Sequence, residues 1–424
     1  MKSKMAVFVS SVILFSILVS INTYAGSGAE YWPTWRGPDG TGVAKNSNPP
    51  LRWSETENIK WKVKVPGQGL STPVIWGERI FFLTADDSDK KEDAYKFDFV
   101  CMDRNTGKIL WQKTAREEVP HEKHHETGSF ASYSCVTDGK YVWAGFGSRG
   151  VHCYDVNGNH KWSRDLGKMN KLRAFGEGSS AALVGDSIIV VMDHEGDSAI
   201  YALNKETGQT LWKKDRDEPT SWATPLPVKV NGELQVVTSA TNFVRSYDVK
   251  TGDVIWKCSG QTRNVIPSPV AGFDKVFCMS GFRGSALHAI ELGHTGDLSG
   301  TDAISWKVSN DTPYVPSPLL YEDKIYFLSV TRGILSCYQA ETGKPNFVAQ
   351  NLEGVGGFYA SPVGAAGRVY LASQNGLTLV IKHSDTYEVL ASNKLDDRFD
   401  ASPAIGDDEL FLKGKEYIYC IAER

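Results

Sequence analysis

One string recurs through the chain at intervals of forty-odd residues, and that period limits the folds open to it. Asp103-Arg-Asn-Thr-Gly-Lys-Ile-Leu-Trp111 returns as Asn204-Lys-Glu-Thr-Gly-Gln-Thr-Leu-Trp212 and as Asp248-Val-Lys-Thr-Gly-Asp-Val-Ile-Trp256. A shorter copy runs from Asp155 through Gly158 to Trp162, and another ends on Phe347 after Thr342-Gly343. A second pattern keeps step with the first. A small residue followed by proline opens an apolar strand at Thr72, Thr224, Ser268, Ser317, Ser361 and Ser402, while Ser134 and Ser180 fill the same slot without proline.

Each of these eight anchors leads into a turn, a second apolar strand such as RIFFLT or KIYFLS, a third short strand, the Thr-Gly turn and a fourth strand carrying Trp. Four short strands at this period are the mark of a β-propeller, and helical periodicity is almost absent. The turn glycine supplies a positive φ, and the Asp or Asn side chain accepts from turn amides that have no ladder partner. The tryptophan lies on the outermost strand, where its ring is placed to dock on the adjoining blade and its indole N–H to find a carbonyl. Proline donates nothing to a ladder, so the anchor strand belongs innermost, with one edge facing the central channel.

The count closes the ring. The eighth unit has three strands, and an unmatched fourth-strand string, Asn58 to Val65 around Trp61, stands near the other end of the sequence. Pairing the two removes two exposed edges. The expected fold is therefore all-β: an eight-bladed propeller of four-stranded antiparallel blades over residues 51–424, with the last blade closed by residues 58–65. Trp61, Trp111, Trp162, Trp212, Trp256 and Trp306 are its blade-docking residues.

Upstream, Lys2 and Lys4 precede an apolar run from Met5 to Ile21, and Thr23-Tyr24-Ala25 offers small residues for cleavage, so residues 1–25 read as an export signal. Four serines interrupt the run, which makes it a poor membrane span, and no later segment is apolar enough to cross as a helix. The expected location is the periplasm or the extracellular space. Residues 26–50 form an aromatic, turn-rich arm, Tyr31-Trp-Pro-Thr-Trp-Arg-Gly-Pro38 at its centre, expected to pack across the propeller and cover apolar surface. The formal charge of −4 argues against a general nucleic-acid binder. Seven cysteines leave at least one unpaired; Cys101, Cys153, Cys337 and Cys420 recur at one place in their units and read as buried small hydrophobes.

Two motif matches fail on context. His121-Glu-Lys-His124-His125 matches a zinc-protease pattern that requires a helix, yet Pro120 precedes it and Gly128 soon follows, so a loop is expected and no metal site is assigned. Gly145-Phe-Gly-Ser-Arg-Gly150 matches a dinucleotide fingerprint but leads into a strand. The stronger signal is topological. Loops between blades and loops between second and third strands open on one face of a propeller. Arg149, Arg283 and Arg332 occupy the second class, each followed by glycine. Arg173, Arg263 and Arg398 occupy the first, near Glu177 and Asp400. Several arginines around one mouth suit carboxylate or phosphate groups.

The Asp-x-x-Thr-Gly-x-x-x-Trp strings, with WRGPDGTG and SETENIKWKVKVPGQGLSTPV near the start, resemble exported bacterial propellers of the pyrroloquinoline-quinone (PQQ)-like repeat family. The resemblance spans nearly the whole chain after the signal. It implies one of two functions. Quinoprotein dehydrogenases hold PQQ, usually with Ca²⁺, in the funnel with an Asp as base; Asp400 and Asp193 are the candidates here. Propellers similar to the outer-membrane assembly factor hold no cofactor and bind proteins through loops and edges. The adjacent Cys pair of the alcohol dehydrogenases is absent, as is the lipobox Cys of the assembly factor. The expectation is therefore a non-enzymatic binding or scaffold propeller with no cofactor. Its partner is an envelope protein or an anionic small molecule, and the candidate residues are Arg149, Arg173, Arg263, Arg283, Arg332, Arg398 and Asp400.

Overall fold

The computed structural model describes residues 31–86, 94–329 and 333–423. The signal segment, most of the charged insertion near Asp86–Asp93 and Arg332 lie outside the described residues. Eight small sheets form the propeller, with two single 3-10 turns, Gly147–Arg149 and Leu172–Ala174, as the helical content of the described residues. Five sheets are four-stranded and antiparallel; three gain a fifth strand, which the repeat pattern does not foretell.

In blade 1, Tyr31–Trp32 adds antiparallel to the innermost strand Val74–Trp76. In blade 7, Val43–Ala44 adds parallel to Val363–Ala365, and in blade 4, Gly296–Asp297 adds parallel to the outermost strand Val254–Cys258. Second strands such as Ser187–Met192 and Lys324–Ser329 are buried on both faces, because a blade is covered by a neighbour on either side. Outermost strands bury little beyond the tryptophan: His160–Arg164 buries Trp162 alone.

The recurring string works as a staple between blades. Asp103 Oδ1 accepts from Thr106 N at 2.8 Å and from Thr106 Oγ1 at 2.7 Å, and Asp248 Oδ1 accepts from Lys250 N and Thr251 N at 2.8 and 2.9 Å. The Trp of one blade lies across the turn glycine of the next and donates its indole N–H to a carbonyl there. Trp111 donates to Val156 O at 3.1 Å, Trp162 to Lys205 O at 3.0 Å, Trp212 to Val249 O at 2.8 Å and Trp306 to Ala340 O at 3.0 Å. The glycine is needed twice over. Gly208 and Gly252 have φ of +69° and +74°, and a Cβ on either would sit 2.5–2.6 Å from the ring of Trp162 or Trp212.

Trp256 departs from this scheme. Blade 5 replaces the tight turn with residues 292–303, whose Gly296–Asp297 segment pairs along the Trp256 strand, with Leu298 N donating to Lys257 O at 2.8 Å. Trp256 is wholly buried beneath that segment, and its indole N–H has no hydrogen-bond partner.

The seam lies where the sequence places it. Ile59–Lys64 pairs antiparallel with Tyr417–Ile421, bringing Trp61 opposite Cys420 as Trp111 lies opposite Cys101. Trp61 donates to Arg104 O at 2.8 Å, and the Arg104 guanidinium reaches back to Glu409 at 2.7 Å and Asp407 at 2.6 Å. All seven cysteines are free and buried.

The anchors carry a second ring. The backbone N–H of each of the first seven anchors donates to the side-chain hydroxyl of the next blade's anchor, from Thr72 N to Ser134 Oγ at 3.0 Å round to Ser361 N to Ser402 Oγ at 2.9 Å. Seven such bonds encircle the channel. A small residue is required there for space, and a hydroxyl to satisfy an anchor N–H that has no ladder partner.

The arm does more than lie across the surface: it fills the lower part of the channel. Trp32 is fully buried against blade 1, Thr137 N of blade 2 donates to Pro33 O at 3.0 Å, and Gly364 N of blade 7 donates to Gly42 O at 2.9 Å. Arg36 is buried at the tip of this plug. Its guanidinium donates to Pro362 O at 3.0 Å and Pro318 O at 2.9 Å, two anchor-proline carbonyls, and to Thr41 O at 3.4 Å. Burial without a carboxylate lowers its pKa to about 9.

Candidate functional site

Above the plug the channel widens into a funnel of about 550 Å³. The residue two places before each anchor hydroxyl lines it in all eight blades, from Leu70 in blade 1 through Trp222 and Tyr359 to Asp400 in blade 8. Trp35, from the arm, borders both the funnel and a void of about 60 Å³ beneath it, so its side chain partitions the two. The walls are strongly aromatic: Phe282 and Tyr314 stack with centroids 5.0 Å apart, and Trp222 is fixed by its indole N–H to Gly176 O at 2.8 Å.

Three of the arginines singled out in the sequence meet in this funnel. Arg173, Arg263 and Arg283 line it and are exposed. Arg173 and Arg283 sit on left-handed backbone, φ +52° at each, which turns tight loops at the mouth. The Arg283 guanidinium lies 5.3 Å from the centroid of the Phe282 ring. Among the described residues, no side-chain hydrogen bond or ion pair engages any of the three guanidiniums.

The other arginines are placed differently. Arg149 is buried outside the funnel wall, 3.1 Å from Glu177 Oε2 and 3.5 Å from Glu118 Oε1, with Phe97 and Phe130 against it. A carboxylate as deep as Glu177 demands a cation, and the guanidinium supplied from blade 2 is spent on it. Arg398 does not line the funnel; its Nε donates to Asp400 Oδ2 at 2.7 Å, a hydrogen bond that raises the Arg398 pKa. Asp400 does line it, and also accepts from Gln374 Nε2 at 2.6 Å. Asp193 lies outside the funnel, gripped by Arg216 at 2.6 and 3.0 Å and by Ser221 Oγ at 2.6 Å. Its environment is a buried ion pair, which removes it as a base facing a funnel ligand.

The His121–His125 segment is a loop. His121 Nε2 contacts Met169 O at 2.8 Å, His124 packs edge-on against Phe130, and His125 Nδ1 contacts Thr127 Oγ1 at 2.8 Å. Without a helix the imidazoles share no face. Elsewhere among the described residues Glu322, Asp323 and His383 come within 4.8 Å of one another. His383 is already engaged by Tyr326 and Glu322, and Asp323 by Lys324.

The donor chemistry of the funnel tests a calcium-held quinone. Among the described residues, two carboxylates line the cavity, Glu177 and Asp400. Glu177 accepts from Tyr133 Oη at 3.0 Å, Ser148 N at 2.9 Å, the Ser148 hydroxyl and Arg149, while Asp400 is held by Arg398 and Gln374. Ca²⁺ needs several oxygen ligands free of such partners, and the spare charge here is positive. These residues do not fit a Ca²⁺-dependent cofactor, and no redox step follows from them.

The sequence profile described as outer membrane protein assembly factor BamB matches residues 51–174 and 149–391. No curated protein matches the chain. Among solved structures, BamB from Moraxella catarrhalis covers 85% of this chain and 98% of its own length, at 15% identity and a TM-score of 0.57. The computationally designed Ika8 protein covers 86% of this chain and 100% of its own, at 14% identity and a TM-score of 0.58. Likeness at these identities is likeness of fold.

Proposed function

Because the chain belongs to the PQQ-like propeller family whose profile is described as the outer membrane protein assembly factor BamB, we propose that it is an exported, non-enzymatic binding propeller of the cell envelope. It holds a partner protein at its loop face through an anionic group. The observation that carries this reading is the convergence of Arg173, Arg263 and Arg283 on one aromatic funnel, with no acid among the described residues engaging them. Guanidinium groups bind carboxylate or phosphate in a two-pronged geometry, and a low-dielectric aromatic wall strengthens each contact. The formal charge of −4 makes this local surplus of positive charge a feature of the face and not of the molecule. Among the described residues no helix is long and apolar enough to cross a membrane. The matching profile's description as an outer membrane protein assembly factor supports an envelope protein as the partner.

The test is a binding assay with immobilised protein and an acidic peptide, hexaglutamate amide, at low and physiological salt. The variant Arg173→Asn/Arg263→Gln/Arg283→Asn is expected to lose binding, since Asn tolerates the left-handed backbone at 173 and 283. A variant changing the outward-facing Lys140, Lys213 and Lys250 to Gln is expected to keep it. Equal binding by both variants would contradict the proposal. Stoichiometric uptake of PQQ with Ca²⁺, followed by dye-linked dehydrogenase activity, would establish the quinoprotein reading instead.

A further inference from the structure

We propose that the funnel is a dead-end socket for the C-terminal carboxylate of a partner polypeptide whose last side chain is aromatic or otherwise apolar. This deepens, and rests on, the anion-binding reading of the same cavity. The first argument is the floor. Trp35 separates the funnel from the small void below, and beneath it the arm occupies the channel, with Arg36 bonded to the carbonyls of Pro318 and Pro362. A chain cannot thread through, so what enters is either a chain end or a loop that turns back.

The second argument is charge. Glu177 and Asp400, the two carboxylates of the lining, are each paired with an arginine outside it. The surplus at the mouth is therefore the guanidiniums of Arg173, Arg263 and Arg283, which repel an ammonium end and attract a carboxylate end. The third argument is the wall. Trp35, Phe175, Trp222, Phe282, Tyr314 and Tyr359 line the same space, so an anion with no apolar body leaves most of it wet. A volume near 550 Å³ is in the size class of one small ligand, which suits the last few residues of a chain better than the tip of a folded loop carrying two strands. Terminal carboxylates are a recurring recognition handle for this reason: each chain has one, and it sits beside one side chain.

The experiment is calorimetric titration of the full mature protein with Gly-Ser-Gly-Ser-Phe as free acid, the same peptide amidated, and the free acid ending in Ser instead of Phe. The free acid with Phe is expected to bind, amidation to weaken it at least tenfold, and Phe-to-Ser replacement to weaken it several-fold. Arg263→Gln/Arg283→Asn should reproduce the loss from amidation while leaving the thermal unfolding midpoint in place. Equal affinity of acid and amide, together with arginine-dependent binding of hexaglutamate amide, would overturn the terminal-carboxylate reading and leave the anion-binding site standing. Failure of every probe to bind in an arginine-dependent way would overturn both.

Discussion

The lower and upper halves of the channel use the same side chain in opposite ways. Below, Arg36 is enclosed by the arm and donates to three carbonyls of its own protein. Above, Arg173, Arg263 and Arg283 face an open funnel with no such bonds to the described residues. Burying a guanidinium is costly unless its N–H groups are satisfied; both terminal nitrogens of Arg36 are bonded and only Nε lacks a partner, so the lower arginine is understood as a structural bolt that closes the ring from inside. Exposed arginines carry no such cost and contribute little to stability. The contrast separates the residues that hold the propeller from those free to hold something else.

Removing the bolt should have the largest effect. Arg36→Ala is expected to lower unfolding stability by about 3 kcal/mol, because it deletes charge-assisted hydrogen bonds and strands buried proline carbonyls. Denaturant unfolding measures this, and a loss below about 1 kcal/mol would break the contrast. Gly42→Ala attacks the same point indirectly. Gly42 has φ +88°, and a Cβ there would lie 2.2 Å from an Arg36 terminal nitrogen, so a loss of about 2 kcal/mol is expected.

The layer behind the funnel wall, where Lys171 packs on Trp222, supplies a pH test. Lys171 is buried, its Nζ donating to Asp193 O at 2.7 Å and Ser221 O at 2.9 Å; burial lowers its pKa to about 8, partly offset by Glu177 and Asp193. Between pH 8 and the ordinary lysine value near 10.5, the unfolded chain holds the proton that the folded chain releases, so stability rises with pH across that window. The stability of the parent protein relative to Lys171→Met should therefore increase by about 1–3 kcal/mol from pH 7 to pH 10. Lys413, lowered to about 8 by burial, titrates in the same range and is common to both proteins. A flat difference would contradict the buried position of Lys171.

At the boundary between the halves, Ser268→Ala removes one link of the hydroxyl ring and is expected to cost about 1 kcal/mol. Arg263→Gln, in the funnel, is expected to change stability by less than about 0.5 kcal/mol while weakening anion binding. A stability loss as large as that of Arg36→Ala would place Arg263 among the structural residues.

The fold was legible because each blade interface is built from one local string. Trp, turn glycine and turn carboxylate meet across neighbouring units, so repetition in the sequence reports directly on contact in space. The seam at Trp61 followed from the same pattern. The ring of hydroxyls was present at all eight anchors, from Thr72 to Ser402, but read only as small residues, because its bonds run between units and not within one. The arm does not repeat, and the carbonyls that hold Arg36 belong to residues 318 and 362, so no periodicity announces its place. For the site, topology gathered Arg173, Arg263 and Arg283 on one face, and they line one cavity, while Glu177 takes Arg149 and Asp400 takes Arg398. Local ion pairing is decided by side-chain reach. The aromatic lining had a usable signal, the position two before each anchor hydroxyl, which presents Trp222 and Tyr359 to the funnel.

The most direct test is a crystal structure of the mature protein grown with an acidic or carboxylate-terminated peptide. The expected result is ligand density above Trp35, with a carboxylate within hydrogen-bonding distance of at least two of the guanidiniums of Arg173, Arg263 and Arg283, and the arm still seated below. A ligand bound at the outer blade edges, or an arm lying outside the channel, would contradict the division between a bolted floor and an open arginine-lined mouth.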